Sequence, residues 1–371
     1  VIGELKRNTN DGDYDVFAIC ANNNTALLEE QARKFKPEYC AVYDENKAGD
    51  LKIKLRDTQT KVLAGMDGIN FISEHNKTDF VINALTGQIG LEPTLNAIRA
   101  KKNIGLANKE TLVAAGDIVV REAEINGVDI LPVDSEHCAV FQCLAGEENN
   151  KIDKIILTAS GGPFYGRNRK DLENVTVKDA LNHPTWKMGK KITVDSATMM
   201  NKGLELIEAC YLFDVSPDNI DIVIHRESIV HSLAQFEDKS VKAQMSLPDM
   251  KMCIQYAITG ANNGKRQKSL CGELDLTKIK NLSFAEPDNE TFTFPELARS
   301  AVKRGGTLPA VMNAANEVCV DLFLREKIRF TDIFDFVREA VEKHKNTENP
   351  GIENIIYASN DIKRHFLSRF A

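Results

Sequence analysis

The sequence predicts an α/β protein: a parallel sheet wrapped by helices, then a mixed α+β segment, then a helical C-terminus. Three observations carry this. Short apolar runs alternate with helical patterns over residues 1–134, a βαβ rhythm that places a parallel sheet between helices. Residues 151–259 hold several strand-like runs parted by tight polar turns. After about residue 290 the apolar positions recur at helical spacing.

Within the first segment, "DVFAIC" (15–20), "YCAVYD" (39–44), "DFVINAL" (79–85), "NIGLAN" (103–108) and "DILPV" (129–133) read as strands. The stretches "TALLEEQARKF" (25–35), "LEPTLNAIRA" (91–100) and "KETLVAAGDIVVREAEI" (109–125) read as helices; the first carries Leu27, Leu28, Ala32 and Phe35 on one side. "KIDKIILTAS" (151–160) is a strand that runs into a Gly-Gly-Pro turn. "IDIVIH" (220–225), "SIVHSLAQFE" (228–237) and "SVKAQMSL" (240–247) predict antiparallel strands, with "EDKS" as a turn. In "ITVDSATMMNKGLELIEA" (192–209), a strand-like run stops at Asp195 and a polar-headed helix follows. "GANNGKRQKS" (260–269) has linker composition. "PELARSAVKR" stops at Gly305-Gly306, a helix C-cap, and "TDIFDFVREAVEKH" sets Ile333, Val337, Ala340 and Val341 on one face. The resulting division is 1–134, 135–259, a linker over 260–289, and a helical domain over 290–371.

The totals exclude several classes. A chain of 371 residues, 43% hydrophobic, buries a large core without disulfides. The net charge of −7 argues against nucleic acid as partner, but a local pocket can still be positive for a phosphorylated small molecule. The eight cysteines form no CxxC pair and read as reduced thiols. No apolar run approaches the ~20 residues that cross a bilayer, so no membrane span is expected.

Candidate site residues cluster in a few stretches. In "LPVDSEH" (131–137) an apolar strand ends in Asp134 and Glu136, which as strand positions i and i+2 share a face. Hard oxygen donors there suit Mg²⁺ or Mn²⁺, against the plainer reading of helix-capping acids at a solvated strand end. On the helix that follows Asp195, Ser196 or Thr198 can cap, while Asn201 and Glu205 share a face edged by Lys202. A helix start with a hydroxyl, an amide and a lysine is a phosphate cradle, and Glu205 offers a third carboxylate. The alternative is a Lys202–Glu205 surface pair. "LTASGGPF" (157–164) follows a strand with Ser160 and two glycines, whose N–H groups approach anions closely. "NHPTWKMG" (182–189) has the composition of a lid loop and holds the only Trp. "LANKETLV" puts Asn108 and Lys109 at a strand-to-helix edge where such sheets bind ligands. "CANNNT" (20–25) offers no acid to repel a 2′-phosphate, which favours NADP over NAD.

Taken together in chain order, "LANKETLV", "LPVDSEHCAVFQ", "LTASGGPF", "HPTWKMGKKITVDSATMMNKGLELIEA", "SIVHSLAQFEDKSVKAQM" with "PDMK", and "NAANEV" resemble the 1-deoxy-D-xylulose 5-phosphate reductoisomerase family. The likeness runs from about residue 10 to the end, and 183–209 is its most specific stretch. It implies a Rossmann-like NADPH domain, a central catalytic domain, a C-terminal helical bundle and a homodimer. The implied reaction rearranges 1-deoxy-D-xylulose 5-phosphate and reduces the resulting aldehyde with NADPH. Its product is 2-C-methyl-D-erythritol 4-phosphate, for non-mevalonate isoprenoid synthesis. Carried over by motif, Asp134, Glu136 and Glu205 hold Mg²⁺ or Mn²⁺. Ser160, Ser196, Asn201 and Lys202 hold the phosphate; Lys109, Ser135 and Glu136 meet the substrate backbone; His183 and Trp186 close over it. Asn22, Asn23, Asn24, Asn108, Glu110 and Gly189 line the cofactor site. The resemblance places the protein in the cytoplasm, or in a plastid-type organelle if eukaryotic.

Two departures stand out. The family opens with a strand and a Gly-rich pyrophosphate loop, whereas this sequence begins "VIGELKRN", which reads as the helix that follows them. The expectation is a truncated sequence. "VIHRES" (223–228) has Arg226-Glu227 where Pro-Gln is more usual, and no functional change is attached to it. Two other activities use the same residues: a reductase of a related sugar phosphate that leaves the skeleton intact, and a binding protein without cofactor.

Overall fold

The structure is a computed structural model in which residues 1–8, 14–260 and 266–370 are described. They form two compact units that alternate along the chain: Val1–Asn108 with Val119–Val133 and Lys251–Leu270, and Lys109–Ile118 with Asp134–Met250 and Cys271–Ala371. Part of the expected linker, 261–265, lies outside the described residues.

The first unit runs α1 (Ile2–Asn8), β1 (Ala18–Ala21), α2 (Thr25–Phe35), β2 (Tyr39–Val42), α3 (Glu45–Lys54), β3 (Lys61–Ala64), α4 (Gly65–Glu74), β4 (Phe80–Asn83), α5 (Leu91–Arg99), β5 (Asn103–Leu106), α6 (Lys109–Asn126) and β6 (Ile130–Pro132). Helix α6 begins in the second unit and has non-helical backbone at Ala115. All strand pairs are parallel, in two three-stranded sheets ordered β1-β2-β3 and β4-β5-β6. Strand β2 shows the reason for its fully apolar sequence. Cys40 and Val42 pack against Leu28, Ala32, Ala48 and Leu51 of α2 and α3, while Tyr39 and Ala41 pack against Ile69 and Ile72 of α4. Alternate residues thus serve opposite faces, both covered by helices. The sequence reading assigns nothing between residues 45 and 74, where α3, β3 and α4 stand. Strand β3 is four residues long and exposed at both ends, too short and too polar to leave an apolar run.

The second unit holds α7 (Ser135–Leu144), β7 (Ile152–Ala159), α8 (Val177–Ala180), α9 (Lys190–Ala197), α10 (Met200–Phe213), β8 (Ile220–Ile224), β9 (Val230–Phe236), β10 (Val241–Met245), α11 (Met250–Gly260, most of which belongs to the first unit), α12 (Leu276–Ile279), α13 (Phe294–Arg304), α14 (Leu308–Leu324), α15 (Phe330–Lys343) and α16 (Ile352–Arg369). Its sheet is ordered β10-β9-β7-β8. Strand β9 is antiparallel to both neighbours, as expected, but β8 is parallel to β7. Helices α8 to α10 carry the chain back to the start of β7 before β8 begins, and such a crossover makes a parallel pair.

Residues 192–195 are helical, a correction to the strand-like reading. They lie in α9, where Lys191 and Asp195 pair at 3.1 Å one turn apart and Thr193 Oγ1 bonds Gly189 O at 2.8 Å. These local bonds outweigh the β-preference of Ile192, Thr193 and Val194.

The unit's core joins β7 and β8 to α9, α10 and α13–α15. Its aromatic centre is Phe334, stacked on Phe294 at 4.8 Å and edge-on to Phe330 at 5.8 Å. Phe334→Ala is expected to cost about 3–5 kcal/mol, read as a lower urea midpoint at unchanged slope. Among the described residues no helix is long and apolar enough to cross a membrane.

Candidate active site

The second unit gathers a buried ionic cluster from three elements. Asp134 is the N-cap of α7, its Oδ1 accepting from the N–H of Glu136 at 3.2 Å. Glu136 is on the first turn of that helix, so the two acids do not lie on a strand as the spacing predicted. The strand β6 stops at Pro132, and it is the helix start that draws both carboxylates together. Glu205 comes from α10 and is fully buried. Ligand oxygens of Asp134, Glu136 and Glu205 lie within 4.8 Å of one another.

Two lysines stitch these acids. Lys109, at the first turn of α6, bonds Asp134, lies 3.1 Å from Glu205 Oε1 and 3.7 Å from Glu208 Oε2. Lys202 bonds Glu205 and reaches Glu136 Oε1 at 2.9 Å. Lys202 is 3% exposed, so it forms no surface pair. Asn201 Nδ2 donates to Glu205 Oε1 at 2.5 Å, and Ser135 Oγ donates to Glu136. His137 Nε2 donates to the Glu205 carbonyl at 2.9 Å and pins α7 to α10.

Charge in this cluster does not balance. Four carboxylates, Asp134, Glu136, Glu205 and Glu208, face two lysines. Burial alone would raise Asp134, but the Lys109 charge outweighs it and holds the carboxyl well below its usual range. Burial, with Asp134 and Glu136 nearby, pushes Glu205 up. Burial pushes Glu208 up to about 7, the Lys109 charge offsetting only part. Glu208 Oε2 has no hydrogen-bond partner. When all four carboxylates are ionised they exceed the lysines by two negative charges, and hard oxygen donors with such a surplus fit a divalent cation such as Mg²⁺ or Mn²⁺. Oxygens around such an ion at about 2.1 Å stand up to about 4.2 Å apart, a small closure from the observed spacing.

A second cluster lies at the end of β7. Ser160 Oγ and Ser196 Oγ stand 3.2 and 3.1 Å from His183 Nε2. The N–H groups of Thr185 and Trp186 point at His183 Nδ1, at 3.2 and 2.9 Å. Nδ1 is therefore an acceptor and Nε2 carries the proton. Burial and then the Arg226 charge lower this imidazole below its usual value, which keeps it neutral. Gly162 has φ of +63°, and a Cβ there would sit 2.7 Å from the Ser196 carbonyl, so only glycine lets the loop meet α9 this closely. Ser196 does not cap α10; its hydroxyl is spent on His183, and Thr198 Oγ1 accepts from Met200 N at 3.3 Å.

The pattern described as 1-deoxy-D-xylulose 5-phosphate reductoisomerase matches residues 5–116, and those described as its C-terminal domains match 130–213 and 245–365. The 1-deoxy-D-xylulose 5-phosphate reductoisomerase of Acetivibrio thermocellus is 49% identical over 95% of this chain and 91% of its own length. The chain belongs to the 1-deoxy-D-xylulose 5-phosphate reductoisomerase family. The Clostridium tetani member is 46% identical over 100% of this chain and 95% of its own length. A crystal structure of a reductoisomerase in complex with NADPH, fosmidomycin and magnesium superposes with a TM-score of 0.92 at 37% identity, covering 100% of this chain and 96% of that one. The reductoisomerase from Zymomonas mobilis in complex with NADPH gives 0.90 at 36%, covering 100% and 94%.

The cofactor candidates carried over from the reductoisomerase family fall in both units. Asn22, Asn23 and Asn24 are exposed after β1, and Asn24 Oδ1 caps α2. No carboxylate stands in this segment, which fits a cofactor with a 2′-phosphate. Asn108 Nδ2 holds the carbonyls of Leu85 and Gly87 at 2.5 and 2.9 Å. In the second unit Gly189 is the exposed N-cap of α9, and Glu110 pairs with Lys191 at 2.9 Å. Burial would raise Glu110, but Lys191 outweighs it and lowers it. Lys191 also pairs with Asp195, which Asn316 of "NAANEV" holds at 2.7 Å. Lys191→Met removes the cation shared by two buried acids and is expected to cost about 3–5 kcal/mol by chemical denaturation, partly restored by adding Glu110→Gln.

Sequence reasoning missed Glu208, His137 and Lys191, and attached no functional change to Arg226. Glu208 is three residues after Glu205 and His137 three after Asp134, so helical spacing was a usable signal. Lys191 stands four before Asp195. Nothing in the sequence points to the placement of Arg226.

Proposed function

We infer that this chain converts 1-deoxy-D-xylulose 5-phosphate to 2-C-methyl-D-erythritol 4-phosphate with NADPH and a divalent cation, a step of non-mevalonate isoprenoid synthesis. The observation that carries the reading is the convergence of half-buried Asp134 and Glu136 with fully buried Glu205, paired to two lysines that cannot neutralise all the acids of the cluster.

Asp134, Glu136 and Glu205 would hold Mg²⁺ or Mn²⁺, which supplies Lewis-acid stabilisation to charge developing on ketol oxygens while a C–C bond is broken and remade. Lys109 stays protonated: burial favours the neutral amine, but Asp134, Glu205 and Glu208 outweigh it. It therefore donates a hydrogen bond and charge to a substrate oxygen and does not act as a base. Ser135 and Glu136 meet the substrate backbone. Ser160, Ser196, Asn201 and Lys202 receive the phosphate, with the Nε2–H of His183 fixed between the two hydroxyls. Anchoring at the phosphate orients the reacting carbons. Loop 182–189, with Trp186, keeps water from the aldehyde before hydride arrives from NADPH. Asn22 to Asn24 and Asn108 in the first unit, and Glu110 and Gly189 in the second, are the residues the resemblance assigns to the cofactor; Asn108 acts through the backbone it holds and Glu110 through Lys191.

The resemblance supports a homodimer; the bacterial relatives, and separately the eight free thiols of this chain, support a reducing cytoplasm. The test is product identification. With NADPH, Mn²⁺ and the pentulose phosphate, the expected product has the branched carbon skeleton by NMR; an unrearranged skeleton overturns the reading.

A further inference from the structure

Arg226 and Glu227 replace the Pro-Gln expected from the resemblance, and the chemistry above makes no use of the change. The two side chains go separate ways. Glu227 turns to Ser283 Oγ at 2.7 Å and to His225 Nδ1 at 3.2 Å. Arg226 Nη1 donates to the Ser160 carbonyl at 2.6 Å and to the Gly162 carbonyl at 2.9 Å. Its guanidinium carbon lies 5.1 Å from the ring centre of Tyr165, just past the same loop.

These contacts bracket Gly161 and Gly162, both left-handed at φ of +74° and +63°. A loop of two such glycines is the most adaptable backbone in the site. Tying the carbonyl on each side of the pair fixes two peptide planes, including the direction of the Gly161 N–H. The same loop carries Ser160, whose Oγ accepts from Gly162 N at 3.2 Å and meets His183. Both bonds of Arg226 go to neutral acceptors, and among the described residues it makes no ion pair, so its positive charge stays uncompensated beside the loop.

We infer that Arg226 is a positioning residue for the phosphate side of the active site: it clamps the Ser160–Gly162 loop in its left-handed form and lends the Ser160–His183–Ser196 cluster an uncompensated positive charge that favours a phosphate dianion. This rests on the assignment of that cluster to the phosphate. The guanidinium acts through the loop, and after burial its charge lowers the His183 imidazole further.

Trp186, the single tryptophan, follows the loop that caps His183, so its fluorescence reports this cluster. The full chain, Arg226→Met and Arg226→Lys are titrated with inorganic phosphate, and steady-state kinetics are run in parallel. Losing a charge-assisted pair of bonds is expected to raise the phosphate Kd and the KM for the sugar phosphate about tenfold in Arg226→Met, with kcat and the KM for NADPH within about twofold. Arg226→Lys keeps the charge but not the fork and is expected to lose about threefold. The His183 resonance in NMR titrates at higher pH in Arg226→Met and is unmoved in Arg226→Lys. A folded Arg226→Met with unchanged phosphate affinity overturns the inference, as does an equal loss for NADPH. Should Arg226→Met not fold, wild-type phosphate affinity in Arg226→Lys overturns the clamp. Wild-type protein that binds inorganic phosphate but leaves the pentulose phosphate unchanged would refute the proposed reaction and leave the Arg226 readouts intact.

Discussion

Glu205→Gln abolishes at least about 99.9% of turnover while the protein still folds. Glutamine keeps the volume of a fully buried side chain, and its one carbonyl oxygen can accept from Lys109 or Lys202, which retain Asp134 and Glu136 as ion partners. What is lost is one of the three carboxylates proposed to hold the cation. Lewis-acid stabilisation is worth several kcal/mol, and each ~1.4 kcal/mol is tenfold in rate, so about a thousandfold loss follows. NADPH oxidation reads the rate, and Mn²⁺ electron paramagnetic resonance reads a matching drop in metal affinity. Undiminished turnover would sink the metal assignment.

Glu208→Gln makes the metal-free protein more stable at pH 8 and weakens its pH dependence. Glu208 is 3% exposed, and burial pushes its carboxyl up to about 7. The folded state therefore binds this proton more tightly than the unfolded chain does. Its contribution is fully present below the unfolded value of about 4.3 and is lost as pH rises through about 7. Glu205, also raised, acts in the same direction. Asp134 is lowered, so its contribution is present above about 3.9 and lost only at more acid pH. Glu208→Gln is expected to remove about 3 kcal/mol of this penalty at pH 8, measured by urea unfolding in EDTA across pH 5–8. Saturating Mg²⁺ should flatten the wild-type curve by offsetting the same charge. An unchanged slope in Glu208→Gln would overturn the account.

Order along the chain is enough to place much of this molecule. Short apolar runs mark five of the six strands of the first unit, and β2, covered by helices on both faces, is apolar throughout. Glycine and polar punctuation marks the β9–β10 turn and the end of α13. Segment 45–74 escapes, because α3 and β3 bury too few residues to leave a period. The chemical types at the site, three acids, two lysines, serines and a loop histidine, are likewise plain in the motifs.

Packing alone decides how those groups meet. Asp134 and Glu136 converge as cap and first turn of α7, a relation that depends on where β6 stops. Lys109, Glu205 and Glu208 are linked across about a hundred residues, and only the seating of α6, α7 and α10 sets their distances. The same seating removes water, and desolvation is what pushes Glu208 up, so that keeping it charged beside Asp134 and Glu205 costs stability. Residue identity states which charges exist; burial and distance, which are properties of the folded arrangement, set what each charge costs and what ion it calls for.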